Sequence, residues 1–148
     1  MPYPQDRFKP AMIQHENGLE KTTIEWASEV GKFLAQYDKK DRVKELSTSQ
    51  LRRFFGQIKR LQAQGYKPEQ RSELLMLGPQ LAYAVGRDRK KTREGLKDGS
   101  KINYFYEEVN AAIKAVADGD PDKEKARFQN FVNLVEAIVA YHKYHGGE

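Results

Sequence analysis

The first chemical signal in this 148-residue chain is a set of four cations at heptad spacing. Arg52 stands seven residues before Lys59, and Arg53 seven before Arg60. On a helix such pairs lie nearly above one another, about 10 Å apart along the axis. Gln57 and Gln64 flank the Arg53–Arg60 row, and no carboxylate occurs from Ser47 to Gln64. A solvated helix usually mixes charge signs to gain i,i+4 pairs. Unneutralised guanidinium rows suit a polyanion instead, because each planar fork can donate to phosphate oxygens. An ordinary surface face solubilised by arginine is the other reading. A second cluster follows at Arg87, Arg89, Lys90, Lys91 and Arg93, five cations in seven residues. One or two cations satisfy a helix C-terminus, each worth about 0.3–1 kcal/mol when exposed. Five exceed that need, so nucleic-acid contact is the functional reading and a solvated basic turn the alternative.

Catalytic constellations are missing from the sequence. His142 and His145 are spaced i,i+3 but lack a third ligand, and His15 stands alone, so zinc is disfavoured. The chain has no Cys, which removes thiol nucleophiles, disulfides and Cys-based zinc sites together. No Gly-x-Ser-x-Gly, His-Glu-x-x-His or phosphate-binding glycine loop occurs. Asp118, Asp120 and Asp122 lack the downstream glutamate of a calcium loop and read as N-terminal charge on the helix that follows. The expectation is a non-enzyme without metal or cofactor.

The elements that must position the cations are helical. In the 47–64 stretch a hydroxyl of Ser47, Thr48 or Ser49 can cap the N-terminus. Leu51, Phe54, Phe55, Ile58 and Leu61 then form one apolar stripe. A preceding helix is predicted over Thr23–Lys39, capped by Thr22 or Thr23. Its stripe is Ala27, Val30, Leu34 and Tyr37, widened by Ile24, Trp26 and Phe33, with Trp26 as packing more than a stacking platform. A third runs from about Glu69 to Arg89 on Leu74, Leu77, Leu81 and Val85, with Leu75, Ala82 and Tyr83 nearby. Pro79 should kink or split it. Residues 94–100 read as a mobile loop. Ile102, Phe105, Tyr106, Val109, Ile113 and Val116 define a fourth helix with Glu107 and Glu108 on its surface. The fifth, about Asp122–Tyr144, carries Phe128, Phe131, Val132, Val135, Ile138 and Val139, then a glycine stop. Whether its basic–aromatic end, Tyr141 to His145, caps the core or meets a single strand stays open.

Five amphipathic helices without an alternating strand pattern give an all-α, single-domain bundle over residues 21–148. Pro2, Pro4, Pro10 and Asn17-Gly18 mark 1–20 as an extended or flexible arm, with Tyr3 and Phe8 as possible anchors. No run nears the roughly 18 apolar residues that would suggest a membrane span, and no signal pattern opens the chain; a cytoplasmic protein is expected. The net charge of +5 is unevenly spread. Residues 47–97 hold 12 basic and 4 acidic side chains, a balance of +8, whereas 98–148 hold 6 and 9, a balance of −3. Clustered positive charge is the footprint of a nucleic-acid binder, and it also suits an acidic protein partner.

Three stretches, in order and at compatible spacings, carry a family resemblance. They are Ser47-Thr48-Ser49-Gln50-Leu51-Arg52-Arg53-Phe54-Phe55, then Leu81-Ala82-Tyr83-Ala84-Val85-Gly86-Arg87, then 131–147 with its ending Ala140-Tyr141-His142-Lys143-Tyr144-His145-Gly146-Gly147. Over roughly 23–147 the chain resembles the small subunit of the type III-A CRISPR effector, the Csm complex. The resemblance implies an all-helical, non-catalytic protein that stacks in several copies along the guide RNA, beside other subunits of the complex. It implies contact with the guide–target RNA duplex through phosphates, not sequence. Carried onto this chain, Arg52, Arg53, Lys59, Arg60 and Arg87 would meet phosphates, with Arg89, Lys90 and Lys91 as extensions. The competing expectation is a helical adaptor that docks an acidic protein through the same basic helix.

Overall fold

The computed structural model describes residues 4–37, 45–91 and 101–147, with 88–91 described as backbone only. Five α-helices follow one another: α1 (Lys21–Ala35), α2 (Thr48–Ala63), α3 (Arg71–Lys91), α4 (Lys101–Ala117) and α5 (Glu124–Tyr144). Single 3-10 turns at Pro10–Ile13, Pro68–Gln70 and Pro121–Lys123 each begin with proline. Proline's missing N–H is no loss there, because the first N–H groups of a helical turn lack partners anyway. No strand occurs among the described residues, and the fold is an all-α bundle. The predicted loop at 94–100 and residues 38–44, between the first two helices, lie outside the described residues, as does Tyr3.

The fifth helix is the centre. Phe128, Phe131, Val132, Leu134, Val135 and Ile138 are all buried, so α5 is apolar over much of its circumference, as a helix packed on several sides must be. It lies against α1, α2 and α4, while α3 sits outside, on α4 and α2. Gly31 sets how closely α1 meets α5: a Cβ there would fall 2.7 Å from the His142 backbone N and 2.8 Å from Tyr141 Cβ. Any side chain would push the helices apart.

Several sequence expectations are corrected by the tertiary packing. The first helix begins at Lys21 and ends at Ala35, with no side-chain cap. Thr23, offered as its cap, is instead a buried residue inside its first turn. Tyr37 falls beyond the helix and is half exposed. Pro79 neither splits nor ends the third helix, which runs unbroken through it. Glu108 is not on the surface of α4 but buried, where the Arg7 guanidinium and the Phe8 N–H, at 2.5 Å, both donate to its carboxylate. A carboxylate that leaves water needs such compensation.

That ion pair ties down the N-terminal arm. Trp26 Nε1 donates to the Asp6 carbonyl at 2.9 Å, and the Arg7 guanidinium lies 5.1 Å from the Tyr104 ring centre. Asn130 Nδ2 donates to the carbonyls of Ile13 (3.0 Å) and His15 (2.7 Å). Ile13 is fully buried and Phe8 packs against the core, its ring tilted toward Trp26. Buried cations serve the helix ends, whose last carbonyls have no intrahelical donor. Lys101 Nζ donates to Phe33 O of α1 at 2.8 Å, and Arg127 Nε to Val116 O of α4 at 3.0 Å.

The C-terminal end of α5 closes the core. Gly147 N–H donates to His142 O and Gly146 N–H to Lys143 O, with Gly146 at φ +95°. This is the Schellman pattern, which needs a residue free to adopt positive φ. Gly147 lies against the His142 ring, where any Cβ would clash. His142 is buried and its Nε2 lies 2.6 Å from Leu46 O; a carbonyl only accepts, so the ring carries its proton on Nε2. Burial lowers the His142 pKa, opposed by that carbonyl and aided by nearby Lys143. The open question of the Tyr141–His145 end is thus answered in part: His142 caps the core.

Two outcomes follow from these contacts. Ile13→Ala should cost about 2–5 kcal/mol by chemical denaturation, with one transition, because the arm's side chain belongs to the common core. The histidine gives a pH dependence. Its folded pKa lies below the unfolded value of about 6.5, so the unfolded chain takes up a proton first. Its contribution is whole above about pH 6.5 and is lost as pH falls toward the folded pKa. Thermal melts at about pH 7.5 and about pH 5.5 should show this loss, and His142→Gln should reduce it.

Candidate nucleic-acid interface

The entry of the basic helix is fixed by Leu46 and Ser47. Leu46 N–H donates to Leu34 O at 2.8 Å while its carbonyl accepts from His142. Ser47 then makes a capping box with Gln50: Ser47 Oγ accepts from Gln50 N–H at 3.1 Å, and Gln50 Oε1 accepts from Ser47 N–H at 3.2 Å. Of the three hydroxyl residues offered by the sequence, Ser47 is the one that caps. Leu51, Phe54, Ile58 and Leu61 are buried on the core face, with Phe54 edge-to-face on Phe105 at 5.6 Å. Phe55 is half-buried at the border.

The link to α3 is equally fixed. Tyr66 stacks on Phe128 at 4.2 Å and its hydroxyl donates to Glu124 at 2.6 Å. Arg71, at the start of α3, donates to the same carboxylate through Nη2 at 2.6 Å and Nε at 3.1 Å. Burial raises the Glu124 pKa, but the bonds from Arg71 and Tyr66 outweigh it and hold the carboxyl below its usual range. Burial, followed by the Glu124 contact, raises the Tyr66 pKa. Fastened at both ends, α2 keeps one orientation against α3.

On this frame Arg52, Arg53, Lys59, Arg60 and Arg87 are all exposed. The two rows separate around the helix. Arg53 joins Arg87 of α3 along a cleft of about 140 Å³ between α2 and α3. Gln50, Gln57 and Gln80 supply the rest of its polar lining among the described residues, Leu51, Phe54, Leu81 and Phe105 lie deeper, and no described carboxylate lines it. Arg60 continues the row into an adjoining groove with Gln57, Gln80, Ser72 and Glu73. Arg52 and Lys59 run along the other side, where Lys59 Nζ lies 5.8 Å from the Phe55 ring centre. Gly56 and Ala63 fall between the rows by helical phase, and a Cβ at Gly56 would meet nothing within 4 Å. The side chains of Arg89, Lys90 and Lys91 lie outside the described residues, although their backbone extends α3 from Arg87.

The union of Arg53 with Arg87 was not readable from spacing, since 34 positions separate them. The glutamines of the cleft were missed too, apart from Gln57. Their signal is the i,i+3 and i,i+7 placement of Gln50, Gln57 and Arg53 on one side of the stripe. Among the described residues no group of three His, Asp or Glu side chains is placed to hold a metal ion, and no helix is long and apolar enough to cross a membrane.

Comparison with known proteins agrees with the resemblance carried by the sequence. No curated protein and no solved structure matches the chain. The family model described as Csm2 Type III-A matches residues 20–148, which takes in all five helices, the capping box and the glycine-terminated end of α5. The chain therefore belongs to the Csm2 type III-A family, the small subunit of the type III-A CRISPR effector complex.

Proposed function

We propose that this small subunit is a non-catalytic RNA-binding protein that stacks in several copies along the guide RNA and steadies the guide–target duplex through sequence-independent phosphate contacts. The observation that carries the reading is the cleft on which Arg53 and Arg87 converge from two helices, with no carboxylate in its lining among the described residues. Arg60 prolongs that line, Arg52 and Lys59 provide a second, and Arg89, Lys90 and Lys91 extend the site along α3. Guanidinium groups on rigid helices suit phosphates, because little side-chain freedom is lost per bond formed. The small surface at Gly56 and Ala63 leaves room for a backbone between the two rows.

Stacking of copies draws on the acidic final third, and the structure narrows which acids remain for it. Glu108 and Glu124 are spent in buried pairs, and Glu107 lies 3.5 Å from Arg7. Asp118, Asp120, Asp122 and Glu136 stay exposed and are the candidates to meet a basic neighbour.

Arg53→Glu with Arg60→Glu should abolish RNA association while circular dichroism shows unchanged helicity, because both side chains are exposed. For the parent chain, log affinity for single-stranded RNA should fall with log salt by about 0.7 per phosphate contacted, and the double variant should lose that slope. Recovery of an acidic protein and no RNA on co-purification of the tagged chain would favour the adaptor reading.

A further inference from the structure

Phosphates account for the arginines of the α2–α3 cleft but not for what lies between them. A site for phosphates alone needs only donors on a surface, and such contacts carry no information about the bases. This cleft has an apolar floor, through Leu51, Phe54, Leu81 and Phe105, and a volume of about 140 Å³. An apolar cavity of about 150 Å³ holds one benzene ring, so the space matches a single six-membered ring better than a fused pair. Its walls carry amides. Gln57, half-buried on α2, and Gln80, exposed on α3, line both this cleft and the adjoining groove, and so face its edge from opposite helices. Gln50 lines the cleft with its Oε1 already engaged by Ser47, which leaves its amide NH2 as a donor. Glutamine amides both donate and accept, as the edge of a pyrimidine requires.

Tyr83 is an independent observation. Its side chain is 71% exposed, three residues from Gln80 and four from Arg87. At those spacings it neighbours both on the surface of α3. Aromatic rings in solvent beside cations that track a backbone are what hold the bases of single strands. We propose that the cleft is a subsite for one unpaired pyrimidine base of single-stranded RNA. Its ring rests on the apolar floor, its edge meets Gln57 and Gln80, the phosphates on either side meet Arg53 and Arg87, and a neighbouring base stacks on Tyr83. A paired strand hides its base edges, so the subsite serves RNA that is not paired. The inference rests on the RNA-binding role proposed above and adds a base preference to contacts that are otherwise blind to sequence.

The test is a fluorescence-anisotropy titration of the full chain with three RNA strands of equal length and charge: oligouridylate, oligoadenylate and a strand of abasic riboses. Oligouridylate should bind about fivefold or more tighter than oligoadenylate, with the abasic strand weakest. Tyr83→Ala should lose about fivefold or more on both base-bearing strands, because stacking tolerates any base. Gln57→Leu with Gln80→Leu should cancel the preference for uridine and keep the salt dependence, since the arginines remain. Ala84→Phe, which fills the cleft from its own wall, should cancel the preference as well. Equal affinity for the three strands overturns the subsite and leaves the phosphate reading standing, whereas binding to none of them overturns both. A uridine preference that survives both cleft variants belongs to the strands themselves and also overturns the subsite.

Discussion

The peptide unit at Leu46 is the point on which the basic surface depends. Its N–H is held by the last turn of α1 through Leu34 O, and its carbonyl by His142 from the last turn of α5. One residue later Ser47 begins the capping box of α2. A buried amide with both polar ends satisfied does not move cheaply, since each bond released would leave an unpaired group out of water. The direction in which Arg53 and Arg60 point is therefore set by the meeting of three helices. The alignment of the cleft is a tertiary property, not one of α2 alone.

The same economy sorts the charges. Carboxylates that might have neutralised the basic side are engaged elsewhere: Glu108 fastens the arm, and Glu124 fastens the α2–α3 connection. Two cations are likewise spent inside, Lys101 and Arg127, each on a carbonyl at a helix end. What is left outside on α2 is of one sign. This segregation costs the helix its i,i+4 pairs, each worth about 0.2–0.5 kcal/mol, a small sum against the burial of Leu51, Phe54, Ile58 and Leu61. Packing holds the helix, so the outer rows are free to serve a ligand.

Much of this was legible in the sequence. The stripe of α2, the capping hydroxyl and the heptad rows obey local rules with periods of a few residues, and all three are present in the fold. The residues that escaped have partners far away in the chain. Glu108 reads as a surface acid on α4 until Arg7 reaches it across 101 positions. His142 reads as half of a weak metal pair until Leu46 is brought to it, 96 positions away. Pro79 reads as a break, but Leu77 and Leu81 on either side pack into one core and keep the helix continuous. Leu75 and Tyr83, exposed in the fold, read as core neighbours because apolarity alone does not distinguish an inner face from an outer one.

The docked arm has a consequence for synthesis. Its contacts reach Glu108 and Asn130, 100 and 117 positions downstream of the residues they hold. The arm is made long before its partners and is thus among the last segments to find its place. At roughly 5–20 residues per second, the delay between the synthesis of Ile13 and that of Asn130 is on the order of ten seconds. Throughout that interval the apolar side chains of Phe8 and Ile13 have no core to enter. The arm is exposed to wrong association for as long as α5 is unmade, and completion of α5 supplies the core that Phe8 and Ile13 enter.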